Sequence, residues 1–276
     1  MKLGIHDEFS PLKSVVVCWG SEVPYYDGYS SDDPEFTKYH GSPWDKELFL
    51  RQQEVFFKVL EKYGVELIFP KTAPKLIWQA YTRDTGFVLG TRFYYSTTRN
   101  LGDRNGEDKV LLETLNLNDD QIVLVDAPIE GGDVLARPNE AFIGLGNRTY
   151  QQAIDIINQQ YPVKEFKLGE KVMHLDTRLT LLPKNIALSY TEDFEEIDIK
   201  YVTDTFDLIS VSQIEAKRLG TNVFVINPET VVVPKEHARI TDQLKRKGLN
   251  VEMVDYTEPI ALGGSFRCST LPLLRE

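Results

Sequence analysis

Asp84, Glu130, His174, Asp176 and Cys268 are the residues of this chain whose types could carry hydrolytic chemistry together. A cysteine attacks as its thiolate, a histidine exchanges protons near neutral pH, and carboxylates accept hydrogen bonds in pairs. They stand in the segments Thr82-Arg83-Asp84-Thr85, Glu130-Gly131-Gly132-Asp133, His174-Leu175-Asp176-Thr177 and Gly263-Gly264-Ser265-Phe266-Arg267-Cys268. A fifth segment at the same phase, Gly220-Thr221-Asn222-Val223, carries no acid or base. Each lies just ahead of a hairpin pattern, and the hairpins start at 87, 133, 178 and 223, spacings of 46, 45 and 45 residues. Residues at one phase of a closed repeat lie at one level of a ring. The five side chains are therefore expected to meet around one axis, although they are scattered over 184 positions.

Each residue also has a plainer reading. A cysteine at a strand start can be a small buried hydrophobe, as Cys18 in Val15-Val16-Val17-Cys18-Trp19 is expected to be. Cys268 differs in following a Gly-Gly pair and an arginine, which favour a thiolate. His6, His40 and His237 read as ordinary core or surface histidines; His174 has Asp176 two residues on, placing both on one face of an extended backbone. Glu130-Gly131-Gly132-Asp133 could be an acidic turn, and Arg83-Asp84 a surface pair. A metal is a rival occupant for any such cluster, yet no second histidine at i+4 and no Cys-x-x-Cys is present. A thiol, a histidine and three carboxylates at one level suit a planar cation attacked at carbon. A guanidinium presents five donors in a rigid fork, and carboxylates hold it square to the thiolate.

These positions require regular supporting elements. Hairpins are expected at Phe87–Ser96, Asp133–Gly144, Arg178–Tyr190 and Val223–Pro234. Helices are expected at Glu107–Leu115, Thr149–Gln160, Ser212–Leu219 and Lys235–Lys247, and closing strands at Gln121–Asp126, Val163–Leu168 and Asn250–Asp255. The third block is irregular, with a strand-like Ile197–Val202 ahead of its helix. A fifth block is split between the ends: Ser265–Leu274 pairs with Ser14–Trp19, completed by a helix Asp45–Tyr63 and a strand Val65–Pro70. The expected fold is α/β, a five-fold pseudosymmetric α/β propeller of hairpin–helix–strand units closed by N- and C-terminal strands, in one domain over 1–276. A doubly wound parallel sheet fits less well, because hairpins recur and no Gly-x-Gly-x-x-Gly follows a first strand. The segment 20–43, rich in Gly, Ser, Asp and Tyr, is expected to be a lid over the axis.

Composition narrows the partners. A net charge of −11 argues against nucleic acid and accords with a cationic small molecule. No run of 18 apolar residues suggests a membrane span, the first residues lack the apolar core of a signal peptide, and two cysteines make no disulfide framework. A cytoplasmic setting is expected, and a homo-oligomer is compatible with the sequence.

The motif set resembles the guanidino-group modifying superfamily, the pentein fold of arginine deiminases, dimethylarginine dimethylaminohydrolases and amidinotransferases. The resemblance runs over nearly the whole chain: the strand Pro11–Val17, Arg83-Asp84, Glu130-Gly131-Gly132-Asp133, His174-Leu175-Asp176-Thr177, and the closing Gly-Gly-x-x-Arg-Cys-x-Thr at 263–270. It implies that Cys268 attacks the guanidinium carbon while His174 protonates the departing amine. A thiouronium forms, and His174 then activates the water that releases a ureido product. It further implies that Glu130 binds the cation and orients His174, and that Asp84 and Asp176 hold the remaining nitrogens. Arg104 and Arg148 would bind the substrate's α-carboxylate, with Arg99 as a substitute for Arg104. No cofactor and no metal is implied. The 82 residues ahead of Arg83 leave no room for the helical insertion usual in arginine deiminases, which gives the chain the length of a dimethylarginine hydrolase. It nevertheless keeps Glu130 and Asp176, as deiminases do. The expected activity is hydrolysis of free arginine or a close derivative to citrulline and ammonia. The alternatives are a dimethylarginine hydrolase, a dihydrolase giving ornithine, an amidinotransferase, and a binding module without chemistry.

Overall fold

The computed structural model describes residues 1–23, 45–98 and 104–276. The described residues build five three-stranded sheets, each made the same way. An antiparallel hairpin comes first, and a third strand returns through a helix to pair in parallel with the hairpin's second strand. Strands β3 (Phe87–Leu89), β4 (Arg92–Tyr95) and β5 (Ile122–Leu124) form one sheet. The next is β6 (Val134–Arg137), β7 (Glu140–Leu145) and β8 (Val163–Lys167). Strands β9 (Leu179–Leu182), β10 (Ile186–Ser189) and β11 (Asp207–Ser210) follow, then β12 (Phe224–Asn227), β13 (Thr230–Pro234) and β14 (Asn250–Val254). The remaining sheet joins the two ends: β1 (Leu12–Val16) pairs antiparallel with β15 (Leu271–Arg275) and parallel with β2 (Glu66–Ile68).

The helices α1 (Lys46–Lys62), α2 (Glu107–Leu115), α3 (Gln151–Asn158) and α6 (Ala238–Arg246) fall where the apolar periodicity predicts. Asp45 caps α1, its side chain accepting from Leu48 N at 2.9 Å, and Phe49, Gln52, Gln53, Phe56, Phe57 and Leu60 form the buried stripe.

The third block corrects the expectation. Residues expected to be a strand at Ile197–Val202 are part of a helix, α4 (Glu196–Thr205), and the block's strand is β11. The period-two run of Ile197, Ile199 and Tyr201 suggested a strand. Burial instead follows Asp198 and Val202, four apart, while Ile197 is 71% exposed. Asp198 can be buried because Lys164 pairs with it at 2.6 Å. The third block is thus as regular as the others, and α5 (Gln213–Lys217) is an extra short helix that precedes the fourth hairpin, as α7 (Thr257–Ala261) precedes the last turn.

Apolar clusters join neighbouring sheets in cyclic order. Val16, Leu271 and Leu273 pack with Phe87, Phe93, Val134 and Ile143. Leu135 and Phe142 pack with Leu179 and Ala187; Leu182 and Leu188 with Val225 and Val231; Phe224 and Val232 with Val15, Phe56 and Phe266. The expected lid lies outside the described residues except for its first four, Gly20–Val23, where Gly20 N donates to Gln53 Oε1 at 2.8 Å.

Candidate active site

Each candidate segment is a tight turn at the mouth of a hairpin, three of them single turns of 3-10 helix: Thr82–Thr85, Gly131–Asp133 and Leu175–Thr177. Residues 266–269 turn in the same position ahead of β15. The five turns touch in sequence. A Cβ added to Gly131 would lie 2.3 Å from Arg83 O, and one added to Gly132 would lie 2.7 Å from the His174 ring. The Gly-Gly pair is therefore what lets the second turn sit between the first and third. Thr221 Oγ1 donates to Thr177 O at 2.6 Å and Asn222 Nδ2 to Asp176 O at 3.3 Å. Asn222 Oδ1 accepts from the backbone N–H groups of Arg267 and Cys268 at 3.1 and 3.2 Å. Arg83 N donates to Cys268 O at 3.1 Å, closing the cycle.

The structure brings Asp84, Glu130, His174, Asp176 and Cys268 together, all buried. His174 Nε2 bonds Glu130 Oε2 at 2.7 Å, and its Nδ1 stands 3.8 Å from Asp84 Oδ1. His174 and Asp176 do not share one face of an extended strand as expected. His174 is extended but caps the turn, which carries Asp176 round to Arg267 Nη1 at 2.8 Å. Among the described residues, Asp176 Oδ1 is buried without a hydrogen-bond partner. Asp133 supports the histidine's turn, accepting from Leu175 N at 2.9 Å and from Thr149 Oγ1 at 2.7 Å. Val23, Phe49, Ala80, Tyr81 and Leu262 form the apolar wall around Cys268.

The two arginines differ. Arg148 is partly exposed at the edge of the site, its Nη1 3.4 Å from Glu130 Oε1. Arg104 is turned inward: Nη1 donates to Asp84 Oδ2 at 2.5 Å, Nε to Glu107 Oε2 at 3.0 Å, and Nη2 to Trp78 O and Tyr81 O at 3.2 and 2.9 Å. Its guanidinium thus lies on Asp84, itself expected to hold a guanidinium nitrogen of the substrate, and not toward the position of a substrate carboxylate. Arg99 lies outside the described residues. The sequence assigned no role to Asn222 or Glu8. Asn222 stands at the shared phase of the repeat and could have been found there; Glu8 lies outside the repeat.

Electrostatics follow from burial among these charges. Burial alone would lower His174, but Asp84, Asp133 and the Glu130 hydrogen bond raise it above its ordinary value. Burial would raise Glu130, yet the His174 hydrogen bond and charge, with Arg104 and Arg148, hold it below the usual carboxylate range. The pair therefore rests as imidazolium and carboxylate. Burial, then Asp176 and Asp84, push the Cys268 thiol well above its ordinary value. The arrangement is a buried acid and a protonated thiol among shared carboxylates, whose negative charge favours an incoming cation.

The resemblance that the motifs carry has counterparts among known proteins, which include an arginine deiminase and a dimethylarginine dimethylaminohydrolase. The chain is 28% identical to the uncharacterised protein YkgA of Bacillus subtilis over 97% of this chain and 94% of that one. It is also 28% identical to the arginine deiminase of Treponema denticola over 55% of this chain and 48% of that protein. With the N(G),N(G)-dimethylarginine dimethylaminohydrolase of Mycobacterium tuberculosis it shares 28% over 76% of this chain and 70% of that protein. The chain spans about half the length of the arginine deiminase it matches. Among solved structures, the N-terminal domain of ArgZ, a cyanobacterial arginine dihydrolase, superposes with a TM-score of 0.82 at 20% identity, over 95% of this chain and 97% of that one. The Pseudomonas aeruginosa dimethylarginine dimethylaminohydrolase complexed with citrulline gives 0.81 at 19%, over 95% and 100%. No family model matches the chain.

Proposed function

We propose that this chain hydrolyses the guanidino group of free arginine, or of a close derivative, to a ureido product and ammonia through a covalent adduct on Cys268. The observation that carries the reading is the His174–Glu130 bond at 2.7 Å, set among Asp84, Asp176 and Cys268 in one buried cluster. Asp84 and Asp176 bind the guanidinium nitrogens, and Glu130 holds both the cation and the histidine. The arriving positive charge offsets the carboxylates that keep the thiol protonated, so the thiol gives its proton to solvent and the thiolate forms as the substrate settles. Sulfur then bonds to the guanidinium carbon, and the C–N bond breaks with His174 giving its proton to the leaving ammonia. The neutral imidazole takes a proton from water as its oxygen attacks the thiouronium carbon; the C–S bond then breaks, and the departing thiolate takes the remaining hydroxyl proton as the ureido carbonyl forms. Arg148, at the rim, takes the α-carboxylate. The five sheets, linked in cyclic order, are read as one five-bladed α/β propeller domain with the site on its axis.

The test is product analysis by mass spectrometry with arginine, monomethylarginine, asymmetric dimethylarginine, agmatine and guanidinoacetate offered separately. Citrulline from arginine sustains the reading. Ornithine, as from a dihydrolase, or citrulline mainly from methylated arginine would move the substrate or the number of hydrolyses without moving the mechanism. Cys268→Ala abolishes turnover, and His174→Ala stops it or accumulates the adduct. Steady turnover in Cys268→Ala would sink the covalent mechanism.

A further inference from the structure

Glu8 precedes β1, outside the repeating units, yet its carboxylate reaches the interior behind the site. Its Oε1 accepts from Arg267 Nη2 at 3.0 Å and from Ala136 N at 2.9 Å. Arg267, 1% exposed, donates onward from Nη1 to Asp176 Oδ2 at 2.8 Å and from Nη2 to Val134 O at 2.7 Å. Three buried charges thus run in a line, Glu8–Arg267–Asp176, that ends on a carboxylate with one oxygen unpaired among the described residues. Two other guanidinium groups face Glu8, those of Arg83 and Arg275. Both are buried, Arg275 bonded to Ser10 O and Val225 O at 2.7 Å and Arg83 to Arg267 O at 3.3 Å. Without Glu8, Arg267 and Arg83 would face Asp176 as their remaining carboxylate, while Arg275 would keep Asp7.

We infer that Glu8 is a positioning residue of the active site, holding Arg267 on Asp176 and offsetting the guanidinium's charge so that Arg267 does not cancel the negative field that Asp176 presents to the substrate. The inference rests on Asp176 being a substrate ligand and Cys268 the nucleophile. A guanidinium left uncompensated beside Asp176 would repel a cationic substrate and, through Arg267, pull the neighbouring thiol down. The charges facing Cys268 are Asp176, Asp84 and Arg267, with the Tyr256 hydroxyl also near.

Glu8→Gln keeps an oxygen for Ala136 N and removes only the charge; Glu8→Asp keeps the charge and shortens the reach. In Glu8→Gln, KM for the guanidino substrate rises about five- to tenfold with a smaller fall in kcat, and the pH midpoint of Cys268 alkylation by iodoacetamide falls by about half a unit or more. Glu8→Asp shows smaller shifts in the same directions, about twofold in KM. Equal shifts in both variants, or a kcat loss with KM and midpoint unmoved, would overturn the inference. Should Glu8→Gln fail to fold, Glu8→Asp carries the test alone, and an unchanged KM and midpoint overturns it. Alkylation needs no substrate, so it still decides the role of Glu8 if the wild-type protein proves to hydrolyse no guanidino compound.

Discussion

Burial raises the Cys268 thiol well above its ordinary range, and Asp176 and Asp84 raise it further, while Asp84, with Asp133 and Glu130, keeps His174 protonated. Both partners of the proposed reaction therefore rest with their protons on, and a cation is what would release the first. Iodoacetamide alkylation of Cys268, followed against pH, is expected to have a midpoint above the ordinary thiol value of about 8.5 in the ligand-free protein. Dilute guanidinium should lower that midpoint, because a positive charge between Asp84 and Asp176 cancels the field that holds the proton. A midpoint below neutrality without ligand would mean that the thiolate is preformed. The residues of this chemistry were legible in the sequence because their types are unusual at a shared phase. The direction of a guanidinium was not: Arg104 lies inward on Asp84, and Arg267, read only as a neighbour of the thiol, proved to be the clamp on Asp176.

The turns are the elements that do the positioning, and their glycines separate two effects. At Gly132 a Cβ meets the His174 ring, which can move at the expense of its bond to Glu130; at Gly131 it meets the carbonyls of Arg83 and Gly86, which cannot yield without shifting the first turn. Gly132→Ala is thus expected to lower kcat at least about tenfold while the melting temperature falls only slightly. Gly131→Ala should destabilise the fold by about 1–3 kcal/mol or more in a denaturant titration. Equal losses of stability in the two variants would contradict this assignment of the contacts. Hairpins and most helices were legible because turn residues and apolar periods recur at even spacing. α4 was not, since Ile197, Ile199 and Tyr201 alternate like a strand while neighbouring sheets decide that Asp198 and Val202 face inward.

At the scale of the whole molecule, four sheets are assembled from contiguous stretches of chain and the remaining one joins residues about 260 positions apart, Leu12 to Arg275. Closing that loop costs about 1.5 kcal/mol more than closing one of about 45 residues. The seam is held by buried side chains such as Val15, Val16, Leu271 and Leu273. Leu273→Ala should cost about 2–5 kcal/mol of stability, read from its denaturation midpoint; a loss under about 0.5 kcal/mol would remove Leu273 from the core. The split sheet was legible because the end segments are each half of a unit, whereas its register, Leu12 opposite Arg275, depends on the packing of Phe56 and Phe266 and not on pattern. Cys268, Arg267 and Glu8 all ride on the two ends that this seam joins, while Asp84, Glu130 and His174 belong to the contiguous sheets. A fluctuation that unzips the ends would carry off the thiol and leave the acids standing. The molecule would then fall silent before it melts, a fuse set at its most distant contact.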